Sequence, residues 1–309
     1  MTGAGSASLA FALEQSFLGD LRDEDSDGNT DYYKFGRNPQ LDELDLDRQL
    51  ERLVEDGVVE SVDSIAGKVD GAVGVTAVVS KDTFGEVLDW VFNDGGTAFT
   101  DGLAQTGRIF AGVDYIGGTC ERELEGVTPV DFEIAYDDEN NTVTYSVSFL
   151  YADESNDSTI DPTSITGPTD GNDVPFHGFS LDIDGTTVSK LSTTTLSISN
   201  ISRYQWGASE IAEEAVMARP ESTLDATAIF SGPSRLELAY GGSGSSSPQA
   251  SMSSVTGTVT LSVGGSDVAT FSLPKLKPAT YSWSDLIGEA DLTDPTTFHV
   301  NGGVSVSTP

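Results

Sequence analysis

The chain has 309 residues, in which 15 lysines and arginines stand against 50 aspartates and glutamates, for a formal net charge of −35. This balance excludes most nucleic-acid binding and binding to an anionic membrane surface, because both require clustered basic side chains. With 37% hydrophobic residues, including 14 Phe, 9 Tyr and 3 Trp, the chain can bury one or two cores, which argues against disorder.

The acidic residues are spread through the whole sequence instead of forming a tail, and arginines outnumber lysines. This composition is typical of proteins that work in molar salt, where charges are screened over roughly 3 Å and self-repulsion is tolerable. We therefore predict a halophilic source. The alternative is an ordinary protein with a strongly acidic surface.

Cys120 is the only cysteine, so one chain forms no disulfide framework and no thiolate metal cluster. The first eight residues lack the basic and apolar regions of a secretory signal, and no window reaches the 18 apolar residues of a membrane span. We expect a protein that is made and kept in the cytoplasm, or that leaves it by a route other than secretion, such as lysis.

In chain order, residues 1–31 predict an N-terminal arm followed by an acidic loop. Residues 32–155 predict a first β-rich domain, with apolar runs at residues 58–62 and 69–79 and a hairpin over residues 132–151. Residues 42–56 fit a helix or a strand equally well. One helix is predicted, capped by Asp82, continuing to Phe92 and ended by Gly95 and Gly96.

Residues 156–176 are rich in Pro, Gly and polar residues and predict a linker or a long exposed loop. Residues 177–309 predict a second β-rich domain, because Ser, Thr and Val alternate in several short runs. Residues 236–240 are one of the runs that we interpret as strands, and residues 241–248 predict a mobile loop. The order of elements in the two domains can be superimposed loosely, so two tandem copies are possible.

The sequence carries little catalytic chemistry. His177 and His299 are the only histidines, and no nucleophile elbow, phosphate-binding loop or zinc-binding helix motif is present. With 50 carboxylates, acid pairs occur by chance and do not identify a glycosidase. We therefore predict no enzyme, no catalytic residues and no cofactor-binding or metal-binding residues.

Residues 23–31 are the one segment with a metal-binding pattern. Carboxylates from Asp23 to Asp31 occupy the first, third, fifth and ninth positions of an EF-hand loop, and Gly28 occupies the sixth. The twelfth position is Lys34, where an EF-hand requires a bidentate Glu. A solvated acidic loop is the preferred interpretation, and calcium binding is the weaker alternative.

Seven aromatic residues are candidates for a carbohydrate or peptide groove, but their apolar neighbours favour core packing instead. They are Tyr32, Tyr33, Phe35, Trp90, Phe92, Trp206 and Trp283.

The order of segments resembles the major tail tube proteins of tailed viruses, in their haloarchaeal form. The resemblance rests on the segments at residues 14–19, 33–36, 68–75, 83–92, 132–151, 181–185 and 195–200. It implies a mainly β fold, a β-sandwich or half-barrel with a flanking helix, whose sheets join those of neighbouring subunits into stacked rings around a lumen.

The resemblance therefore implies a structural protein of the virion that forms a tail tube, with itself and other tail proteins as partners. The ring would be a homotrimer with pseudo-sixfold symmetry or a homohexamer, through which DNA passes without specific binding and without a membrane partner. A capsid decoration protein or a cell-surface β-sandwich adhesin is the alternative.

Overall fold

The computed structural model describes residues 7–24, 26, 28–92, 98–99, 102–160, 162, 164–288 and 290–309. The fold is mainly β with flanking helical segments, as predicted from the sequence. The elements of the first half are β1 (Ala7–Leu13), β2 (Tyr32–Tyr33), β3 (Arg37–Asp47), β4 (Glu51–Leu53), β5 (Asp63–Ile65), β6 (Asp70–Val78), α1 (Phe84–Phe92), β7 (Gly107–Tyr115), β8 (Gly118–Asp137), β9 (Thr144–Tyr151), β10 (Asp153–Asp157) and β11 (Ile165–Thr166).

A 3-10 turn, Phe176–Gly178, leads into the second half. The elements there are β12 (Phe179–Ile183), β13 (Thr186–Thr187), β14 (Leu191–Ser199), β15 (Ser202–Gln205), β16 (Glu214–Met217), β17 (Glu221–Ala228), α2 (Ser234–Tyr240), β18 (Val255–Val263), β19 (Ser266–Tyr281), β20 (Thr296–Asn301) and β21 (Ser305–Ser307). All strand pairs are antiparallel except β2 with β11.

One antiparallel sheet of eight strands runs through both halves of the chain, in the order β3, β6, β9, β8, β14, β17, β20 and β19. The halves join where β8 pairs with β14, with Ile134 opposite Leu196. The predicted linker at residues 156–176 thus connects strands of a single sheet. The division into domains at residues 32–155 and 177–309 stays a prediction.

Two long strands each belong to two layers. The first part of β8 pairs with β7 and β10, and its second part pairs with β9 and β14. In the same way, β19 pairs first with β18 and then with β20. In the first half, β1 extends the layer that contains β7 by pairing with that strand. In the second half, β12 extends the layer that contains β18 in the same way. Each half therefore has two β-layers that share one strand.

The topology of the first half is repeated in the second. The corresponding pairs are β1 and β12, β3 and β14, β6 and β17, α1 and α2, β7 and β18, β8 and β19, and β9 and β20. Even the irregularities match: Pro129 lies opposite Phe149 before a bulge, and Pro278 lies opposite Phe298 before a bulge. We call residues 7–151 unit 1 and residues 179–301 unit 2. This repeat is the tandem arrangement that the sequence pattern allowed.

Helix α1 fills the space between the layers of unit 1. The ring of Trp90 lies 5.4 Å from that of Phe11 on β1 and 4.6 Å from that of Phe149 on β9. Phe92, at the end of the helix, lies 6.3 Å from Phe271 on β19 of unit 2. The hydrophobic core is consequently continuous between the two units. The predicted end of this helix, at Gly95 and Gly96, lies outside the described residues.

Two segments differ from the sequence-based expectation. Residues 236–240, interpreted as a strand, belong to α2, because the alternation is too short to distinguish the two periods and Pro233 precedes a helical turn. Residues 7–13, within the predicted arm, form β1, and Phe11 is fully buried. Small residues around Phe11 made this strand resemble a flexible segment.

Candidate functional site: the polar face of the eight-stranded sheet

One face of the eight-stranded sheet is lined with small polar and acidic side chains. A single row across all eight strands, in which each residue lies opposite the next, consists of Gln40, Thr76, Ser146, Glu133, Ser197, Thr223, His299 and Lys277. Since directly opposed residues point to the same side of a sheet, these side chains share one face. We call this surface the polar face.

The polar face follows from period-two alternation in each strand. On β9, Tyr145, Val147 and Phe149 are buried, whereas Ser146 lies between them on the opposite side. On β17, Leu224 is buried in the same way. The apolar side chains enter the core below α1, so the intervening Ser, Thr and acidic residues are left on the other face.

Hydroxyl groups on the polar face donate hydrogen bonds to its carboxylates. Ser197 Oγ donates to Glu133 over 3.2 Å, and Thr76 Oγ1 donates to Asp42 over 3.3 Å. Thr297 likewise donates to Asp225. These contacts hold the side chains close to the sheet, so that the surface is shallow and its short side chains present hydroxyls and negative charge.

Acidic residues are distributed across the polar face, but basic residues lie at one edge. Asp131 and Glu133 lie on β8 and Asp225 on β17, whereas Lys277 lies on the edge strand β19. In water, such a surface repels a polyanion and offers it no cluster of cations. The face also lacks, among the described residues, a nucleophile hydrogen-bonded to a histidine.

In the described part of the acidic loop at residues 23–31, two carboxylates accept hydrogen bonds from the loop's own backbone amides. The amide of Gly28 donates to Asp23 over 2.8 Å, and the amide of Glu24 donates to Asp31 over 2.6 Å. Asp25 and Asp27, two of the predicted ligands, lie outside the described residues. Among the residues that are described, no group of three or more His, Cys, Asp or Glu side chains is suited to a metal ion. Calcium binding here stays a prediction.

Glu86 on α1 lies next to this loop, where its surroundings disfavour a charged carboxylate. Burial raises the pKa of its carboxyl from 4.5 to about 8, and the negative charges of Glu24 and Asp89 act in the same direction. The hydroxyl of Tyr33 lies 3.3 Å from Glu24 at the same place, and burial together with Glu86 raises the pKa of Tyr33. The loop and the helix thus meet through like charges.

Glu86→Gln is expected to stabilise the protein at alkaline pH. Because the folded-state pKa is raised, the folded protein binds the extra proton between about pH 4.5 and 8, and stability is lost as pH rises through this range. In constant salt, the variant should melt about 2–4 °C above the parent at pH 9. Near pH 4.5 the two proteins should melt at the same temperature. Exposed Glu139→Gln is the control. An equal difference at both pH values would contradict this assignment.

A second carboxylate, Glu14, is fully buried at the end of β1. It accepts hydrogen bonds from Thr106 Oγ1 at 2.6 Å and from the amide of Gly126 at 3.1 Å, and Arg108 lies 3.3 Å away. Burial raises its pKa, although these hydrogen bonds and Arg108 oppose the shift. Its partners come from β7, from the residue before it and from β8, so sequence spacing gave no signal for this cluster. It fixes the turn after β1.

The aromatic residues considered as a ligand groove do not converge. Phe35, Trp90 and Phe92 are buried in the core, as the packing interpretation required. Trp283 is 45% exposed at the end of β19. Trp206 packs beside Tyr204, and Tyr32 lies against Phe110.

The two histidines lie in different surroundings. His177 lies in the 3-10 turn against Phe176, whereas His299 lies on the polar face opposite Thr223 and Lys277.

No protein-family model matches the sequence, and no curated protein matches it. Within the described part of the chain, neither helix has the length and apolar character needed to cross a bilayer.

Proposed function

We propose that the protein is a structural subunit of a viral tail tube, in which copies of the chain form a ring and the polar face lines its lumen. The single observation that carries this proposal is the continuous eight-stranded sheet with one apolar and one polar face. A sheet of this kind is suited to a wall, since its apolar side holds the core and its polar side contacts water.

The chemistry of the polar face fits a passage for DNA. Short Ser and Thr side chains leave the surface low, and the carboxylates of Asp131, Glu133 and Asp225 repel phosphates. DNA would then slide along the wall without being bound. The composition supports the same view, because a chain with a charge of −35 has few cations to retain a polyanion.

The repeated topology favours three copies in the ring. Each chain supplies two units of the same strand order, so a homotrimer presents six similar units around its axis. A homohexamer would present twelve. The trimer with pseudo-sixfold symmetry is therefore the proposed assembly, with stacked rings and other tail proteins as its partners in the virion.

Electron microscopy and sedimentation of the purified protein in molar salt test this function. We expect rings or hollow tubes with an open lumen, and no retention of DNA by the assembled protein at any salt concentration. A protein that stays monomeric at every protein and salt concentration would contradict the tube, and would favour a decoration protein or adhesin.

A further inference from the structure

Two strand edges of the eight-stranded sheet have no partner strand in the described part of the chain. One is the edge of β3 that faces away from β6. The other is the end of β19, which pairs with β20 on one side but has no strand on the other after Leu276. Unpaired edges of this length are hazards in a monomer and are normally covered or paired.

The repeat within the chain indicates what covers them. Inside the chain, β14 of unit 2 pairs with the end of β8 of unit 1. β3 corresponds to β14, and β19 corresponds to β8, so the two free edges are the counterparts of a junction that already exists. We propose that β3 of one chain pairs with the end of β19 of a second copy of the same chain. This inference names the contact within the proposed tail tube and rests on that function for ring closure.

The matched bulges fix the register of this junction. By the correspondence of Pro129 with Pro278, Phe132 of β8 is equivalent to Tyr281 of β19. β3 pairs with β6 and β6 with β9 in unit 1, just as β14 pairs with β17 and β17 with β20 in unit 2. When these pairings are followed from the matched bulges, Leu46 of β3 is equivalent to Ile198 of β14. Since Phe132 lies opposite Ile198, Tyr281 of one copy should lie opposite Leu46 of the next.

Two residues further along, the same register brings the exposed Trp283 next to the half-buried Leu44. Ile134 lies opposite Leu196 inside the chain, and the equivalent pair is Trp283 with Leu44. Trp283 is 45% exposed and Leu46 is 47% exposed in the single chain. Both would be covered in the junction, which accounts for large apolar side chains that are exposed at these two edges.

The two edges differ in charge. β3 carries Asp42, Glu43, Asp45 and Asp47, all exposed. β19 carries the exposed Lys275 and Lys277, which in this register lie beyond Asp47, toward the hairpin that follows β3. Pairing of β3 with β3 of a second copy is disfavoured, because it would oppose acids to acids.

The hairpin after β3 gives independent support. Residues 48–67, which we call the arm, contain β4 and β5 and expose large apolar side chains: Leu50, Val54, Val59, Val62 and Ile65. The equivalent hairpin of unit 2, β15 with β16, is packed on unit 1. There Tyr204 is buried, donates to the carbonyl of Gly126 over 2.7 Å and lies 6.0 Å from Phe17. Within the described residues the arm is tied to unit 2 of its own chain at its base, by the ion pair of Arg48 with Glu210, while its large apolar side chains stay exposed. We therefore propose that the arm packs on unit 2 of a second copy.

A junction between two different edges is head-to-tail, and it generates a closed ring when the rotation per copy divides a full turn. The contact between units 1 and 2 inside each chain would then alternate with the contact between chains. Six units in three copies would give one uninterrupted β-wall with the polar face on a single side.

Disulfide cross-linking at the predicted register tests the junction. Ser197 and Glu133 lie opposite each other inside the chain, and their equivalents are Asp45 and Ser282. Opposed residues of antiparallel strands have Cα atoms about 4.5–5.5 Å apart, which lies within the range that a disulfide spans. Asp45→Cys with Ser282→Cys, in a Cys120→Ser chain, is oxidised in molar salt. We expect covalent dimers and trimers, ending at the trimer. The control, Thr76→Cys with Ser282→Cys, uses an interior strand and should remain uncross-linked.

The outcomes separate the junction from the proposed function. Head-to-tail covalent oligomers of the double variant support the junction. Rings that are visible by electron microscopy but do not cross-link would overturn it and leave the tube intact. Cross-linking of either single-cysteine variant would also overturn it, because that result requires an edge to meet its own copy. A protein that forms neither rings nor cross-links would contradict both proposals.

Discussion

Replacing Leu50, Val54 and Ile65 of the arm by serine is expected to leave the protein folded but unable to assemble. All three side chains are more than half exposed in the single chain, so their loss removes almost nothing from the core. At the proposed junction, burial of each side chain would contribute about 1.5–2.5 kcal/mol to the free energy of association. Losing about 5 kcal/mol per junction weakens association by more than about a thousandfold. Sedimentation velocity in molar salt measures this directly.

The control for the arm uses its acidic residues. Glu51→Gln, Glu55→Gln and Asp56→Asn change the same hairpin but keep its apolar side chains, and in molar salt the charges act over only about 3 Å. This variant should assemble at nearly the parent's concentration. If the serine variant assembled equally well while both variants had the parent's circular dichroism and melting temperature, the arm would not be a contact between copies.

Trp90→Ala is expected to have the largest effect on folding. Trp90 is 1% exposed, and its Nε1–H donates to the carbonyl of Val127 over 3.2 Å. Its ring connects Phe11 on one layer with Phe149 on the other, so alanine leaves a cavity between the layers. Truncation of buried tryptophan typically costs about 3–5 kcal/mol. Denaturant unfolding at constant molar salt should show a loss of this size.

Trp283→Ala is the matched control, because Trp283 is nearly half exposed. It should change the stability of the monomer by less than about 1 kcal/mol but weaken assembly, since it removes the partner of Leu44 at the junction. Equal losses of stability for the two tryptophan variants would show that the core is not organised around Trp90.

Local patterns predicted most of the elements. The hairpin predicted over residues 132–151 corresponds to the end of β8 and to β9, and the predicted helix corresponds to α1. In both cases the signal lies in one short stretch, as alternation around Asp137 to Asn141 or as helical spacing from Phe84 to Phe92. The strand predicted at residues 236–240 was wrong, because five residues of Leu, Glu, Ala and Tyr fit both the helical and the strand period.

The polar face and the pairing of the two units could not be predicted from such patterns. The alternation on β9 or β17 indicates that one side is polar, but not that eight strands place their polar sides together. Ile134 and Leu196 are far apart in the sequence, and only the folded chain shows that they are opposite each other. The ion cluster at Glu14 was missed for the same reason, because Arg108 and Gly126 approach it through the pairing of β1, β7 and β8.

The acidic composition acquires a more specific meaning from this arrangement. Part of the charge lies on the polar face and part on β3, where Asp45 and Asp47 lie on the edge that would meet the lysine-bearing β19 of a second copy. We therefore expect assembly to depend on salt in two ways. Screening removes repulsion between acidic surfaces, and it also weakens the attraction between the two edges.

A cryo-EM reconstruction of the assembled protein tests the central claim most directly. We predict a ring of three chains and six similar units, with β3 of each chain paired with β19 of the next. Ser146, Ser197 and Thr223 should then line an open lumen. A ring whose polar face points outward, or a ring closed by other strands, would contradict this account.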